Sequence, residues 1–177
     1  MCNEDSVTFN DVRGNHVTLV WTRIDQKLIH GQISLAWVPH LKIDAIVVAD
    51  TEMKDNPKGQ RFMKMGLPPE IKATFFVDPR FITETLEMNE LSRRRVLLLF
   101  RDMEGLCAAV NSGLSLSKVN LGYHACTPLD PVVTRLGDAF YVCERDMAGL
   151  CELYTSGLEI ILQTIPSDKA VRWVPAK

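Results

Sequence analysis

The sequence predicts an α/β fold built on a single open, mostly parallel, twisted sheet of about seven strands, with helices on both faces. Short runs rich in β-branched and aromatic residues alternate along the chain with longer amphipathic stretches. Several of these runs are apolar at every position, as strands are when helices cover both faces of a sheet. With 177 residues, 46% of them hydrophobic, the chain is long enough to bury a core of its own.

The predicted strands are short apolar runs bounded by turn residues. Seven runs qualify, at residues 17–21, 45–49, 74–77, 96–100, 118–121, 139–142 and 158–164. Between the fifth and sixth runs, residues 122–138 hold two prolines and no helical period. We therefore expect these two strands to meet through a loop or hairpin, which makes one strand of the sheet antiparallel.

The predicted helices are amphipathic stretches closed by glycine or proline turns. They cover residues 32–40, 54–65, 79–91, 102–112 and 144–156. Pro79 suits a first helical turn, because its missing N–H would have no helical acceptor there. Residues 1–16 are polar and are predicted to be a disordered N-terminal extension, so that residues 17–177 form one domain.

Composition excludes several classes of function. The chain has 20 Lys and Arg against 22 Asp and Glu, a net charge of −2, which disfavours a nucleic-acid partner. Its five cysteines are scattered and never spaced as C-x-x-C, which argues against a disulfide framework and a zinc site. We expect a cytoplasmic protein with neither metal nor cofactor. Because no stretch approaches the length of a membrane span, a membrane role requires a partner.

The loop after the first predicted strand holds the candidate chemistry, because open parallel sheets bind ligands beyond the carboxyl ends of their strands. His30 stands there just before a helix, whose start favours anions such as phosphate. A neutral imidazole can accept a phosphoryl group. Arg23 and Lys27 would offset charge on the moving oxygens, and Asp25 would hydrogen-bond the other ring nitrogen. From these residues alone, a partly buried histidine that only begins a helix is the favoured alternative.

Residues 23–32 read RIDQKLIHGQ. This segment resembles the active-site signature R-I-D-D-R-L-I-H-G-Q of the IIB component of the mannose/fructose/sorbose class of bacterial sugar phosphotransferase systems, and eight of ten positions match. The similarity extends over about residues 17–168. Its supporting blocks are residues 46–50, 63–69, 119–122, 157–159 and 165–166.

This resemblance implies the same open twisted sheet, in a homodimer. It also implies that the chain takes a phosphoryl group from a histidine of a IIA domain and passes it to a sugar bound by membrane IIC and IID components. The protein would then associate transiently with the inner face of the membrane. By the same resemblance, His30 is the phosphorylated residue. The residues implied to bind or orient the phosphate are Arg23, Asp25, Lys27, Gly31 and Gln32.

Two positions depart from the signature: Lys27 replaces an arginine and Gln26 replaces an acid. Lysine is a point charge on a flexible stem, whereas arginine can hold two phosphate oxygens at once. A family stretch that often reads G-G-M-H is here Gly122-Tyr123-His124. These differences leave open a diverged, non-catalytic paralogue that only binds partners. A small-molecule enzyme on the same type of sheet would rest on fold analogy alone. For His124 a packing role is favoured over a second site histidine.

Overall fold

The computed structural model describes residues 6–10, 13–126, 133–136 and 140–175. Its main sheet has eight strands: β1 (Val7–Asn10), β2 (His16–Ile24), β3 (Ala45–Ala49), β4 (Ala73–Val77), β5 (Arg95–Phe100), β6 (Lys118–Leu121), β9 (Glu159–Leu162) and β10 (Val171–Trp173). The sheet runs in the order β10-β9-β6-β2-β5-β3-β4, with β1 pairing beside the first half of β2. The six strands from β9 to β4 in this order pair in parallel, so the predicted fold class is confirmed.

The antiparallel pairing lies elsewhere than predicted. The sequence places residues 139–142 in the sheet, but Tyr141–Cys143 (β8) pairs antiparallel with Val133–Arg135 (β7) in a separate two-stranded sheet. Residue 139 falls outside the described residues. Within the main sheet, β1 and β10 are the antiparallel members. The strand β10 was not predicted, because three residues give too little pattern to recognise.

Strand β1 corrects the prediction that residues 1–16 are disordered. Val7 and Phe9 lie on the same side of this strand and pack against the core, while Thr8 and Asn10 are exposed. Such alternation is typical of a strand with one covered face. Residues 1–16 are polar overall. The alternation of Val7 and Phe9 with polar residues is recognisable as a strand only when β2 lies beside it. Residues 1–5 and 11–12 fall outside the described residues.

Helical structure forms in all five predicted segments, although those at 54–65 and 79–91 are divided. A π-helical segment (Ile33–Trp37) runs into α1 (Val38–Leu41), and the others are α2 (Thr51–Lys54), α3 (Pro57–Met65), α4 (Ile82–Leu86), α5 (Met103–Asn111) and α6 (Glu144–Thr155). Short 3-10 turns at Pro79–Phe81 and Asn89–Leu91 flank α4. The prediction at residues 54–65 is divided because Asn56 caps a new helix by accepting from the Gly59 N–H. Within the described segments, no helix is both long and apolar enough to traverse a bilayer.

Two apolar layers enclose the sheet, because successive side chains of a strand point to opposite faces. Val47 joins the layer that includes buried residues of α4, α5 and α6. Its neighbours Ile46 and Val48 join the opposite layer with Ile33 and Trp37 of the π-helical segment. Helices therefore cover both faces, and the carboxyl ends of the parallel strands remain as one open edge where loops meet.

Candidate functional site

The loop at residues 25–30, which follows β2, is held between the ends of two neighbouring strands. The backbone N–H of Asp25 donates to the carbonyl of Phe100 at the end of β5, at 2.8 Å. The N–H of Gln26 donates to the carbonyl of Tyr123, beyond β6, at 2.9 Å. Because β5 and β6 lie on either side of β2, this loop is fixed from both sides.

Arg23 is fully buried beneath the loop. Its Nε and Nη2 groups donate to Oδ2 of Asp25 at 3.0 and 2.8 Å. Its remaining N–H groups donate to the side chain of Asn120 and to the carbonyls of Gln163 and Thr164, the latter two at 2.9 and 3.1 Å. A guanidinium has five N–H groups, so these contacts use every donor. The charge is both paired and hydrogen-bonded, as burial requires.

The sequence predicts that Arg23 and Lys27 both offset charge on the phosphoryl oxygens. Arg23 has no exposed surface, whereas Lys27 is exposed. A close approach by Gly122 completes the enclosure of the guanidinium, because a Cβ at that position would overlap Nη2 of Arg23. Arg23 contacts the loop through Asp25.

Asp25 links the buried arginine to His30. Its Oδ2 lies 3.1 Å from Nε2 of His30, and its Oδ1 accepts from the N–H of Lys27 at 3.1 Å. Burial alone would raise the pKa of Asp25, but the hydrogen bond from His30 and the charge of Arg23 outweigh it, so the pKa lies below its ordinary value. Asp25 is therefore ionised at neutral pH.

The ionised carboxylate defines the tautomer of His30. A carboxylate can only accept hydrogen bonds, so Nε2 must carry the ring proton, and in the neutral ring Nδ1 then carries the lone pair. The side chain of His30 is 20% exposed. Among the contacts of the described residues, its Nδ1 has no hydrogen bond. The imidazole thus offers one oriented nucleophilic nitrogen from a partly open position.

The two residues that depart from the family signature each have a partner. The ammonium of Lys27 lies 3.9 Å from the ring centroid of Tyr123, a cation–π contact. The side-chain carbonyl of Gln26 accepts from the N–H of Ala125 at 3.3 Å. Both contacts reach the loop after β6, which differs from the family's usual G-G-M-H. The changes in the two loops are thus in direct contact with each other.

Gly31 and Gln32 begin the helical segment after His30. The first helical hydrogen bond runs from the N–H of Ser34 to the carbonyl of His30 at 2.9 Å, so the N–H groups of residues 31–33 have no acceptor within the helix. Gly31 is open, with no atom within 4 Å of where its Cβ would lie. The buried Oε1 of Gln32 has no hydrogen-bond partner among the described residues.

Sequence reasoning missed the supporting residues Asn120, Gly122 and Tyr123. Residues 119–122 form one of the blocks that resemble the family. That block was the available sequence signal for a segment in contact with a distant part of the chain. His124, named as a possible second site histidine, is directed toward Asp146 of α6 instead, with Nε2 to Oδ2 at 2.8 Å. His124 is 4% exposed.

Comparison with known proteins matches residues 19–176 to the family described as "PTS system sorbose subfamily IIB component". The chain is 27% identical to the N-acetylgalactosamine-specific phosphotransferase enzyme IIB component 2 of Escherichia coli over 154 residues, covering 86% of this chain and 94% of that protein. It is 24% identical to the sorbose-specific EIIB component of Lacticaseibacillus casei, covering 82% and 87%. It is 23% identical to the mannose-specific EIIAB component of Escherichia coli, of which it spans only 48%.

Solved structures share the fold. The chain superposes on manxB from Thermoanaerobacter tengcongensis with a TM-score of 0.75 and 25% identity, covering 87% of this chain and 91% of that one. It superposes on the IIBSor domain of the sorbose permease from Klebsiella pneumoniae with a TM-score of 0.76 and 22% identity, covering 86% and 91%.

The enclosure of Arg23 predicts that Gly122→Ala destabilises the protein, because the added Cβ would collide with a guanidinium that five hydrogen bonds hold in place. Overpacking of this kind costs about 1–3 kcal/mol or more. Urea unfolding followed by circular dichroism measures the loss. Gly31→Ala is the matched control: its Cβ meets open space, and alanine in a helix is favoured by about 0.5–1 kcal/mol. Equal stability of the two variants would contradict this account.

The depressed pKa of Asp25 predicts a loss of stability in acid. The folded pKa lies below the unfolded value of about 3.9, so the stabilisation is present above that pH and disappears as pH falls through the folded pKa. Asp25→Asn leaves Arg23 unpaired and should lower the free energy of unfolding at pH 7 by about 3–5 kcal/mol. In urea titrations between pH 7 and 3, we expect the difference in the free energy of unfolding between Asp25→Asn and the parent to become smaller as the pH falls. Glu70→Gln, at an exposed position, should follow the parent, and a constant difference for Asp25→Asn would refute the linkage.

Proposed function

The chain belongs to the IIB components of the sorbose subfamily of phosphotransferase systems, and from this premise we propose that it relays a phosphoryl group through His30. The donor is a phosphohistidine of a IIA domain, and the acceptor is a sugar held by membrane IIC and IID components. The observation that carries this proposal is the Nδ1 lone pair of His30, which the ionised carboxylate of Asp25 directs by holding the proton on Nε2.

In each proposed step one bond to phosphorus forms as another breaks, first from nitrogen to nitrogen and then from nitrogen to oxygen. The Nδ1 lone pair of His30 forms a bond to phosphorus while the bond from phosphorus to the donor imidazole breaks and its electron pair returns to that ring. His30 keeps its Nε2 proton and becomes cationic, and Asp25 stabilises this charge. In the second step a sugar hydroxyl oxygen bonds to phosphorus, the electron pair returns to Nδ1, and the hydroxyl proton is lost at the sugar site.

Two groups near His30 would neutralise the negative charge on the oxygens of the transferring phosphoryl group. Lys27 is exposed and supplies a cation, and the N–H groups of residues 31–33 are free of helical acceptors, an arrangement that favours phosphate. Tyr123 is a positioning residue in this proposal. By holding the ammonium against its ring, it limits the freedom of a side chain that otherwise orients phosphate less firmly than arginine does.

The partners follow from the family. One relative carries a IIA portion on the same chain, as its name EIIAB states, which supports a IIA donor for this protein. The relatives' names include N-acetylgalactosamine, mannose and sorbose, which supports a relay in which the membrane components select the sugar. A cytoplasmic location at the inner face of the membrane, and a homodimer, stay predictions from the family resemblance.

A second hypothesis has its own observation. Lys27 and Gln26 depart from the signature, and their side chains contact the loop after β6. A diverged paralogue could keep the fold and dock with IIA, yet present its phosphohistidine poorly to the sugar site. Misplacement of reacting atoms by about 1 Å can cost roughly a hundredfold in rate, so the two hypotheses differ most in the onward step.

The relay predicts that His30 alone is labelled and that the label leaves. Incubation with a phosphorylated IIA domain, followed by mass spectrometry at neutral or alkaline pH, should show one phosphoryl group on His30. His30→Ala should accept none, while His40→Ala, at an exposed position, should be labelled like the parent. Membranes holding IIC and IID should then discharge the label when a suitable sugar is added. A label that persists with every sugar, while another IIB component discharges on the same membranes, would favour the paralogue.

The role of Lys27 predicts graded losses in the rate of phosphoryl acceptance. Lys27→Ala removes one charge-assisted contact worth roughly 1.5–3 kcal/mol, or about 10- to 150-fold in rate. Tyr123→Leu removes a cation–π contact worth about 0.5–1 kcal/mol, or about two- to fivefold. Lys27→Arg should keep or raise the rate. Lys64→Ala is the matched control, since Lys64 makes a similar contact with Phe76 in another part of the fold. An unchanged rate in Lys27→Ala would show that other groups hold the phosphate.

A further inference from the structure

A second cluster of reactive side chains lies between the loop after β6 and the start of α6. His124 and Cys126 come from the loop, and Cys143 and Asp146 come from the junction of β8 with α6. The loop is joined to β8 by a hydrogen bond from the N–H of Tyr141 to the carbonyl of His124. None of these four residues contributes to the contacts of the Arg23–Asp25–His30 site described above.

The donor atoms of this cluster converge. The imidazole nitrogen of His124, the thiol of Cys126 and a carboxylate oxygen of Asp146 all lie within 4.8 Å of one another. Oδ2 of Asp146 is 2.8 Å from Nε2 of His124, 3.8 Å from Sγ of Cys126 and 3.1 Å from Sγ of Cys143. In a tetrahedral zinc site with ordinary bond lengths, neighbouring ligand atoms are about 3.3–3.8 Å apart. The separation from Cys126 lies in this range, whereas those from His124 and Cys143 are shorter and are hydrogen-bond distances.

Hydrogen bonds engage the members of the cluster only in part. Oδ2 of Asp146 accepts from the N–H of Cys143 at 3.2 Å and from the imidazole of His124, which caps α6 and pairs the carboxylate. The thiol of Cys126, a weak donor, lies 3.2 Å from the carbonyl of Tyr141. Nδ1 of the buried His124 has no hydrogen-bond partner among the described residues.

We propose that His124, Cys126 and Asp146 form a site for a zinc-like divalent cation. Thiolate and imidazole ligands select such ions over magnesium and calcium, which prefer oxygen. Three protein ligands leave the fourth position of a tetrahedral shell to water. Binding displaces the thiol proton of Cys126 into solvent. The cation would tie the loop after β6 to α6, and that loop is bonded to Gln26 beside His30.

The sequence argued against this site, because none of the cysteines is spaced as C-x-x-C. The ligands instead form an H-x-C pair and a single aspartate, Asp146, which residues 127–145 separate from that pair. Neither is unusual alone. Only the pairing of β7 with β8, and the packing of α6 next to the loop, bring them together.

The test uses the full chain, purified with a phosphine reductant and stripped of metal with a chelator. Cobalt(II) serves as a spectroscopic probe, and zinc affinity is measured by competition with a chromogenic chelator. We expect one equivalent of cobalt, thiolate-to-cobalt charge-transfer absorption, and displacement of cobalt by zinc with release of protons. Binding of less than half an equivalent by the parent, or absorption without a thiolate band, would overturn the proposal. This readout does not depend on phosphoryl transfer, so it stands or fails separately from the proposed function.

Variants identify the ligands. Cys126→Ser and Asp146→Asn should each weaken zinc binding by at least about tenfold, and Cys126→Ser should also remove the thiolate band. The matched control is Cys151→Ser, which changes a half-buried cysteine of α6. It should bind like the parent. Far-UV circular dichroism of each metal-free variant separates a lost ligand from lost folding. If Cys126→Ser is folded and binds like the parent, or if Cys151→Ser abolishes binding, the assignment is wrong.

Discussion

The buried ion pair between Arg23 and Asp25 is the interaction on which the functional edge of this fold depends. An isolated charge in the core of a sheet would be very costly, so a buried guanidinium is stable only when its donors are satisfied and its charge is paired. Arg23 meets both conditions by reaching side chains and carbonyls that belong to β6 and to the segment after β9. Strands that are distant along the chain are thereby fixed relative to the loop that carries His30.

That arrangement has a chemical consequence for the histidine. Asp25 pairs with the buried guanidinium of Arg23 and accepts a hydrogen bond from Nε2–H of His30. Its carboxylate therefore holds the imidazole in one tautomer and one orientation. In the proposed relay, the nucleophilic nitrogen is determined by a residue that the phosphoryl group need not contact. Arg23, which the sequence predicts to offset charge on the phosphoryl oxygens, is linked to His30 through Asp25. Gly122 contributes because it has no side chain, which leaves room for the guanidinium of Arg23.

The loop after β6 connects the His30 site with the cluster at the start of α6. On one side, Tyr123 and Ala125 contact Lys27 and Gln26, the positions that depart from the signature. On the other side, His124 contacts Asp146 at the start of α6. Because these side chains are in direct contact, substitutions in the two loops are expected to be energetically coupled.

Local patterns in the sequence were sufficient for the features that depend on near neighbours along the chain. The short apolar runs predicted six strands of the sheet, β2, β3, β4, β5, β6 and β9, within a few residues at each end, and the position of the His30 loop beyond β2. These predictions succeed because a strand covered on both faces must be apolar throughout, and because parallel strands end at one edge. The helix at residues 54–65 was divided by a cap that the hydrophobic pattern does not register.

Tertiary structure alone decided the features whose partners are far apart in sequence. Val7–Asn10 becomes a strand because β2 lies beside it, and Tyr141–Cys143 leaves the main sheet because Val133–Arg135 is its partner. The burial of Arg23 depends on Asn120 and on carbonyls about 140 residues away. The sequence by itself determined which residue types stand at the site and which of them, His30, can accept a phosphoryl group. Which charge faces solvent and which is buried was decided by packing, because burial and hydrogen-bond satisfaction are properties of contacts between segments and not of any one segment.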